Sequence, residues 1–535
     1  MTTSAKEHLL AKQDRSHRAI NSFIRARDAI SAADDQEGGG GWMNPDVISL
    51  AHGEGVRRPH HSVVAAGVRA LLDTTESSLD NYLYLRRFPA FEEELTTTFQ
   101  AAGIPDDAAS NLCIDSGNTR LFLAFFHAVG DPGDVFLVPQ GYYQAVNMWA
   151  DISSVYLETV ETRRSNDYKF TRGDLEEFYR RRVDTGEVRR PKGLVLFSPS
   201  YTGAVYEESE LAEIAEFVEQ RDLVVLEDAI FRGTEFTGRS SAHLAGMPNM
   251  SQRVVTINGG SKAYGLANIR IGWGCGPQYL IERMNYYTMA TSITVPHIAK
   301  AMALAALRAP AEYLEGNIAE CAARAELVAR LLDEINENVA SALGFTPAEP
   351  LLTVAHHPKA AHSVLVSGNG MAGLLTPDGR EITDSTDVTR HFLNTARVCL
   401  SPGVSNGFTD CTVRIAFGCL GWEHTYAYPK HAEIVASAGT LLTAFDPGLS
   451  DRAVEERLHA AGIDPQWSSV DHLNPGFQGG REELTEAIQR RLGPAVVRLA
   501  LDNQQELRAR HARSAATPED TAVLSAAGSV PEMAQ

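Results

Sequence analysis

One stretch of the sequence decides the fold of this chain: Asn258-Gly-Gly-Ser-Lys262-Ala-Tyr-Gly-Leu-Ala-Asn-Ile-Arg270-Ile-Gly272. It continues the apolar run Val254-Val-Thr-Ile257, which predicts a buried strand that ends shortly before the lysine. A lysine in that place can form a Schiff base with an aldehyde. An arginine beyond the turn can hold a phosphate group with its planar guanidinium. The stretch therefore predicts a site for a phosphorylated aldehyde, provided that the other parts of such a site follow in order.

The composition restricts the class of protein. The chain has 535 residues, enough for more than one domain, and its 48 basic and 68 acidic residues give a net charge of −20. This acidic balance argues against a nucleic-acid partner. No apolar run approaches the roughly 20 residues of a membrane helix, and the first residues lack a signal-peptide core. We therefore expect a cytoplasmic protein with no membrane partner.

The cysteines predict neither a metal site nor disulfides. The chain has six of them, and they are scattered with no C-x-x-C pair. Reduced thiols in a protein without structural zinc are the simplest interpretation.

Short apolar runs alternate with helical patterns between about residues 110 and 300. The predicted strands are 111–115, 135–139, 154–160, 193–198, 223–228, 254–257 and 270–275. The predicted helices are 119–129, 173–182, 208–220 and 278–307. This alternation predicts an α/β fold, in which helices cover a mostly parallel sheet.

The whole chain divides into five predicted segments. They are an N-terminal arm (1–45), a large domain (46–307), a smaller α+β domain with helices and polar strands (308–445), a helical C-terminal extension (446–512) and a disordered tail (513–535). The arm contains an amphipathic stretch at 7–33 and the tetraglycine 38–41, which predicts a flexible joint. Within the extension, helices are predicted near 450–462 and 481–512.

Two short motifs after predicted strands suit a phosphorylated ring. Asp115-Ser-Gly-Asn-Thr119 opens a helix, and the free N–H groups of a helix start attract phosphate. Val138-Pro-Gln-Gly-Tyr-Tyr143 places an aromatic side chain where it could stack on a planar ring. An ordinary helix cap and ordinary aromatic packing explain the same residues equally well, so neither motif decides the function alone.

Two charged residues fall in apolar runs. Asp228 ends the run Leu223-Val-Val-Leu-Glu-Asp228, and a carboxylate buried there needs a cationic partner such as a protonated ring nitrogen. Arg414 lies in Thr412-Val-Arg-Ile-Ala-Phe417, where a substrate carboxylate would pair with its guanidinium. A helix cap or a structural ion pair remains an alternative for Asp228, and a structural salt bridge remains one for Arg414.

Taken in chain order, these residues resemble the site of fold-type I pyridoxal 5'-phosphate (PLP) enzymes, the class I/II aminotransferase family. The resemblance covers roughly residues 45–440 and implies PLP as cofactor, a mostly parallel seven-stranded sheet in the large domain, and a homodimer. Within the family the chain is most similar to the 1-aminocyclopropane-1-carboxylate (ACC) synthase branch. The runs that carry this preference are Val138-Pro-Gln-Gly-Tyr-Tyr143, Asp228-Ala-Ile-Phe-Arg-Gly-Thr-Glu-Phe236 and Ser401-Pro-Gly-Val-Ser405 followed by Arg414.

The resemblance implies a role for each matching residue. Lys262, Asp228 and Tyr143 would be catalytic: the Schiff-base lysine that is also the acid/base at Cα, the partner of the ring nitrogen, and the stacking ring. The phosphate would be held by Asn118, Thr119, Ser261 and Arg270, with Tyr84 or Tyr82 of one protomer reaching the site of the other. The substrate would contact Arg414, Gly53 and His52.

Three positions depart from the family pattern. The segment Ser198-Pro-Ser-Tyr201-Thr-Gly203 lacks the asparagine that donates to the O3' atom of the cofactor, and Tyr201 stands nearest its place. Phe231 replaces a tyrosine that also donates to O3', and Gly259 replaces a phosphate-binding serine. These changes favour altered chemistry over ordinary transamination.

We therefore predict a PLP-dependent lyase or transferase that performs γ-elimination or γ-substitution on S-adenosylmethionine. A second, anionic substrate could bind the pairs Arg57-Arg58 and His60-His61, although a solvated surface turn explains them as well. The alternative is an aminotransferase that passes the amino group to a 2-oxo acid. A PLP-binding transcription regulator is a third possibility, but residues 1–41 are too short for its winged helix.

Overall fold

The computed structural model describes residues 47–51, 53, 55, 59–72, 88–238, 240–418, 420, 452–453, 456, 460 and 476–515. The predicted arm, most of the segment between 421 and 475, and the predicted tail beyond residue 515 lie outside these residues. Residues 513–515, which we expected to be disordered, belong to a helix. Among predicted site residues, His52, Tyr82 and Tyr84 also lie outside them, as do Arg57 and Arg58.

The larger sheet of the described residues has seven strands and is mostly parallel, as predicted. In chain order its strands are β2 (Leu112–Asp115), β3 (Val135–Pro139), β4 (Tyr156–Val160), β5 (Gly193–Phe197), β6 (Val224–Asp228), β7 (Val254–Gly259) and β8 (Gly272–Cys275), after the short β1 (Ile48–Ser49) that lies elsewhere. Their order across the sheet is β2-β8-β7-β6-β5-β3-β4, and β8 is antiparallel to both of its neighbours. Strands β3 and β5 are buried at every position because helices cover both faces.

Three of the four predicted helices of this region are present, those near 119–129, 173–182 and 208–220, and the structure adds four helices that were not predicted, at His61–Leu72, Pro89–Ala101, Asp106–Ala109 and Ala145–Ser153. In chain order the helices of this region are α1 (His61–Leu72), α2 (Pro89–Ala101), α3 (Asp106–Ala109), α4 (Asn118–Val129), α5 (Ala145–Ser153), α6 (Arg172–Phe178), α7 (Glu208–Arg221), α8 (Gln278–Thr291) and α9 (His297–Leu307). The prediction of one helix over 278–307 is wrong. The chain turns between α8 and α9, where Ile293 is left-handed (φ 64°) and Pro296 precedes the new helix.

Two predicted strands begin later than expected for the same physical reason. Arg270 adopts a left-handed backbone (φ 57°), so β8 starts at Gly272 and not at 270. Ser154 is also left-handed (φ 67°), and β4 starts at Tyr156. A residue in this conformation cannot continue a strand.

A second sheet follows the long helix α10 (Ala311–Leu343). Within the described residues its strands are β9 (Thr353–Val354), β10 (Ser363–Ser367), β12 (Ser401–Pro402) and β13 (Thr412–Ala416), in the order β12-β13-β10-β9. The prediction of polar strands here is wrong for β10 and β13, which are buried at every position. Val364 and Val366 of β10 and Val413 and Ile415 of β13 pack into the core below α10.

The segment that leads into the site is attached to this second sheet. Helix α11 (Ser385–Ala396) ends at Arg397 and is followed by β11 (Val398–Cys399), which pairs in parallel with β1. Leu50 N donates to Cys399 O at 2.8 Å, and Ala416 N donates to Leu50 O at 2.7 Å. The chain after β1 is therefore held directly beside β13.

The C-terminal helices complete the core around α10. They are α12 (Gly476–Thr485), α13 (Gly493–Asp502) and α14 (Gln504–Ala515), with a π-helical turn at Glu486–Leu492. Ile488, Leu492 and Leu499 are fully buried in the cluster that contains Val328 and Leu332 of α10. The extension therefore packs as part of one core, while the limits of the predicted domains stay a prediction.

An ion network, buried at Arg324 and Glu320 and exposed at Arg481, ties the extension to the residue that follows β13. Arg324 of α10 is fully buried and donates to Glu320 at 2.8 Å and to Phe417 O at 2.6 Å. Arg481 of α12 donates to the same carboxylate, with Nε 3.1 Å from Glu320 Oε1. Across the parts of the chain that are described, no helix is both long and apolar enough to cross a membrane.

Candidate active site

The candidate site lies where the carboxyl ends of the parallel strands meet. Asp228 ends β6, Lys262 follows β7, and Gly117 and Asn118 follow β2. Residues after parallel strands collect at one edge of a sheet, which is the edge where α/β proteins bind ligands. The structure thus brings together four residues that are up to 145 positions apart in the chain (262 − 117).

Asp228 lies at the base of this edge and is 4% exposed. Its Oδ1 accepts hydrogen bonds from Asn118 Nδ2 at 2.8 Å and from Ile230 N at 3.2 Å. Burial raises the pKa of Asp228 to about 7, although these donors and the charge of Lys262 act in the opposite direction. A cation beside the carboxylate would restore its charge.

The side chain of Asn118 lies on Asp228, because a buried carboxylate needs a donor. That Asn118 helps to hold a phosphate stays a prediction. Only the backbone N–H of Asn118, in the first turn of α4, remains for an anion. The same side chain explains Gly259, where a Cβ would lie 2.9 Å from Asn118 Oδ1.

Gly117 and Arg270 form a cradle at the start of α4. Gly117 has φ +80°, and a Cβ there would lie 2.7 Å from Arg270 Nη2. The guanidinium is solvent-exposed and donates to Ala267 O at 3.0 Å. A helix start and an arginine that face the same space are suited to a phosphate group. Thr119 and Ser261 are both half-buried. Thr119 lies in the first turn of α4, and Ser261 directly precedes Lys262 in the sequence.

Lys262 extends from the turn after β7 towards the segment that follows β1. Its Nζ donates to Gly53 O at 2.6 Å and lies 5.9 Å from the centre of the Phe231 ring. The lysine is half-buried. Its amine thus links the turn after β7 to Gly53.

Arg414 of β13 faces the same space from the opposite side and is 4% exposed. It donates to the Tyr201 hydroxyl and, through Nη2, to Ala51 O at 2.7 Å. Its Nε is buried without a hydrogen-bond partner among the described residues. A Cβ added to Gly53 would lie 3.4 Å from Arg414 Nη1, 3.8 Å from the Tyr201 hydroxyl and 4.0 Å from Lys262 Nζ.

Aromatic rings line the space between these groups. Tyr143 and Tyr201 have ring centres 5.1 Å apart, and Tyr201 and Phe231 have centres 6.0 Å apart. Trp149 packs on Tyr143 at 5.8 Å. The guanidinium carbon of Arg414 lies 4.5 Å from the centre of the Tyr201 ring, so Tyr201 stands with the arginine rather than with Asp228.

His362 is a site residue that the sequence did not reveal. It precedes β10, is 1% exposed, and packs edge-on against the Phe231 ring with centres 5.8 Å apart. A Cβ added to Gly55 would lie 3.3 Å from His362 Cε1. The only sequence signal was a histidine directly before an apolar run, which is too common to single it out.

With this geometry described, comparison with known proteins identifies the family. The model of the family "Aminotransferase class I and II" matches residues 45–427. The chain belongs to the class I and II aminotransferase family, whose members use PLP. It is therefore a PLP-dependent enzyme, as the resemblance implied.

Curated relatives are aminotransferases by name. A probable aspartate/prephenate aminotransferase of Rickettsia conorii is 24% identical over 365 residues, which cover 68% of this chain and 84% of the relative. An aspartate aminotransferase of Geobacillus stearothermophilus is 24% identical and covers 70% of this chain and 87% of the relative.

A solved structure shows the same fold. The aspartate aminotransferase of Rhizobium meliloti matches 88% of this chain and 99% of its own length, with a TM-score of 0.62 and 19% identity. At that identity the match supports the fold alone, and it confirms the predicted fold-type I architecture.

These relatives contradict the predicted reaction. We expected γ-elimination or γ-substitution on S-adenosylmethionine, whereas the relatives are named for amino-group transfer. The predicted lyase activity is therefore wrong, and the relatives' names give no support to the ACC synthase branch. One of the runs that favoured it, Ser401-Pro-Gly-Val-Ser405, begins with a strand whose Ser401 pairs with Arg414. That run belongs to the framework around Arg414 and does not report the leaving group.

The residues present fit PLP. The buried Asp228 needs a cationic partner, which the ring nitrogen of the cofactor would supply. The Gly117–Arg270 cradle has donors for a phosphate, and Lys262 carries an amine whose charge acts on Asp228. Asn118 Oδ1 and Arg414 Nε are buried without partners in the described part of the chain, as expected of a site built for a further group.

Proposed function

We propose that this enzyme is an aminotransferase that moves the amino group of an amino acid to a 2-oxo acid. One observation carries the proposal: Arg414 Nη1, the Tyr201 hydroxyl and Lys262 Nζ converge on one point beside Gly53. A guanidinium and an amine at this spacing suit the carboxylate and the Cα of one α-amino acid.

When bound, PLP draws electrons away from Cα, so that the Cα proton becomes removable. Arg414 would bind and orient the substrate carboxylate, helped by the Tyr201 hydroxyl. Lys262 Nζ would move the proton to and from Cα. Amino-group transfer needs this step in both directions, because the donor loses the proton and the acceptor gains it.

Asp228 would keep a proton on the ring nitrogen of the cofactor, and Asn118 would hold the carboxylate in place. Arg270 and the start of α4 would bind the phosphate, and Tyr143 would pack on the ring. Thr119 and Ser261 keep their predicted phosphate role as a proposal. Phe231 offers no hydroxyl to the O3' atom, so the two donors that the family places there are both absent from this chain's sequence.

Aspartate is the first donor to test, because relatives are named as aspartate or aspartate/prephenate aminotransferases. We would load the purified protein with PLP, add ¹⁵N-labelled amino acids one at a time with 2-oxoglutarate, and measure ¹⁵N in glutamate. Label in glutamate from at least one donor, and its absence in Lys262→Ala, is the expected result. A protein that binds PLP but transfers label from no donor to 2-oxoglutarate, pyruvate or oxaloacetate would contradict the proposal.

We further propose that the active form is a cytoplasmic homodimer, in which Tyr84 or Tyr82 reaches the partner's site. The support is the family resemblance, since both tyrosines lie outside the described residues. Sedimentation at the dilution of the assay tests this, and a fully active monomer would contradict it.

A further inference from the structure

His362 has two buried ring nitrogens that no described residue satisfies. The side chain is 1% exposed, and neither Nδ1 nor Nε2 has a hydrogen-bond partner among the residues that the structure describes. Burying a polar atom without a partner costs roughly 1–3 kcal/mol per group. Because this burial is unfavourable, we looked to a bound ligand as the hydrogen-bond partner of the imidazole.

The position of His362 relates it to the proposed substrate site. Gly53 and Gly55 stand two positions apart on the segment that crosses Lys262. The Cβ that Gly53 lacks would meet Arg414 and Lys262 Nζ, while the Cβ that Gly55 lacks would lie 2.9 Å from Lys262 O, 3.3 Å from His362 Cε1 and 3.9 Å from His362 Nδ1. The Cβ positions of Gly53 and Gly55 thus both lie next to Lys262, the first also beside Arg414 and the second also beside His362.

The nitrogen-bearing edge of the imidazole points at Gly55. Cε1, the atom between the two nitrogens, is the nearest ring atom to the missing Cβ. The ring is fixed from behind by the Phe231 ring, which meets it at 84°. Because the preceding residue, Ala361, donates its N–H to Thr234 at 3.0 Å and Phe417 N donates to His362 O at 2.9 Å, the backbone on both sides is also held.

His362 is uncharged near neutral pH. Burial, and then the charges of Lys262 and Arg324, lower the pKa of its imidazole to about 3. A neutral imidazole offers one N–H donor and one lone-pair acceptor. This pair matches a hydroxyl, amide or carboxyl group, whereas an alkyl group would leave both nitrogens unsatisfied.

We infer that His362 contacts the substrate side chain and makes the site prefer amino acids that carry a hydrogen-bonding group over alkyl amino acids of equal size. This inference rests on the proposed function, because it takes Arg414 as the site of the substrate carboxylate. It adds a specificity residue that the relatives' names do not indicate.

Homoserine and norvaline test the inference, because they differ only in a terminal hydroxyl or methyl group. For the wild-type enzyme loaded with PLP, kcat/KM should favour homoserine. The variant His362→Phe should lower the homoserine-to-norvaline ratio about 10–100-fold, since a site built to bind a hydroxyl penalises its loss far more than an apolar site does. His362→Asn, which keeps a donor and an acceptor, should retain more of the ratio than His362→Leu, which has nearly the same shape.

His391→Phe is the matched control. His391 of α11 is also buried, at 4% exposed, and both of its nitrogens lack partners among the described residues, but its charged neighbour is Asp378. We expect the homoserine-to-norvaline ratio of kcat/KM of His391→Phe to equal that of the wild type. Equal losses for both substrates in His362→Phe, or a wild-type ratio of one or less, would overturn the inference, because His362 would then only support the fold.

A binding measurement separates this inference from the proposed function. Titration of the PLP-loaded enzyme with homoserine or norvaline changes the cofactor absorbance and gives a dissociation constant without requiring amino-group transfer. If no transfer occurs but the norvaline-to-homoserine ratio of dissociation constants still falls in His362→Phe, the proposed function fails and the inference stands. If His362→Phe does not fold, the comparison of His362→Asn with His362→Leu decides.

Discussion

The two walls of the site differ in how completely their polar groups are paired. The cofactor wall comprises Gly117, Asn118, Asp228, Lys262 and Arg270, which lie at the end of a strand of the large sheet or in the segment after one. The substrate wall comprises Gly53, Tyr201, His362 and Arg414, which come from four separate segments.

The cofactor wall is braced by hydrogen bonds among its own members and to adjacent backbone. Asn118 donates to Asp228, and Arg270 donates to Ala267 O. Asn118 Oδ1 of the cofactor wall is buried without a partner among the described residues, whereas the substrate wall leaves three such atoms, Arg414 Nε and both nitrogens of His362. A cofactor that stays bound suits fixed partners, whereas a site that receives two substrates in turn needs groups whose partners come and go.

The largest effect should follow the loss of the amine on the cofactor wall. Lys262→Ala removes the group that would move the Cα proton, and we expect the rate of transfer to fall by about 10⁴-fold. Stopped-flow measurement of 2-oxo acid formation checks this. Lys192→Ala, on an exposed lysine that pairs with Asp134, is the control and should leave the rate unchanged. A loss of less than tenfold would remove Lys262 from the chemistry.

Asp228→Asn should lower the rate by about 10²–10³-fold, which is typical of a lost electrostatic contact in an active site. The same substitution should increase the free energy of unfolding of the cofactor-free protein, although it lowers the rate. Because the folded pKa of Asp228 is about 7 and its ordinary value is 3.8, the folded state binds the proton more tightly. Its stability therefore falls as the pH rises from about 4 to 7.

The cofactor-free Asp228→Asn protein should not lose stability between pH 4 and pH 7, because asparagine does not ionise. At pH 8 it should be more stable than the wild type by about 2–4 kcal/mol, measured by urea unfolding. Equal stabilities at pH 8 would show that the carboxylate is already paired without the cofactor.

Arg414→Lys tests the substrate wall. Lysine keeps the charge but loses the planar fork, so the carboxylate would be bound by a point charge. We expect KM for amino acid and oxo acid to rise about 10–100-fold, with a smaller change in kcat and none in the affinity for PLP. A loss of PLP affinity as large as the rise in KM would contradict this separation, because Arg414 would then also support cofactor binding.

The smallest effect should come from the network behind the substrate wall. Arg481→Ala leaves Glu320 with Arg324 as its ionic partner, and should cost about 1–2 kcal/mol of stability. Arg498→Ala, which breaks an exposed pair with Asp502 on the same extension, should cost less than about 0.5 kcal/mol. Equal values would mean that the network adds nothing beyond a surface ion pair.

The cofactor wall was largely predictable from the sequence. Asp228 ends a run of apolar residues, and Lys262 follows another, so strand ends alone placed them at one edge. The helix start at Asn118 was equally visible, although its amide turned out to serve Asp228. Apolar runs report burial, and the ends of parallel strands converge wherever a sheet forms.

The substrate wall was only partly predictable. Arg414 was visible because a charge inside an apolar strand needs a partner. His362 was not, because it is one of 17 histidines and its burial depends on contacts with Phe231 and Gly55, which are distant in sequence. The break between α8 and α9 was missed because local sequence patterns do not record left-handed turns. The reaction on S-adenosylmethionine was predicted wrongly because local sequence patterns do not record which group leaves a substrate.

A single-turnover reaction tests the central claim most directly. The PLP-loaded enzyme would be mixed with excess aspartate, and with other amino acids in turn, in the absence of any oxo acid. The account predicts that at least one donor yields 2-oxo acid and pyridoxamine phosphate, each in an amount equal to the bound cofactor. PLP that stays unchanged with every donor, while Lys262 still binds it, would contradict amino-group transfer.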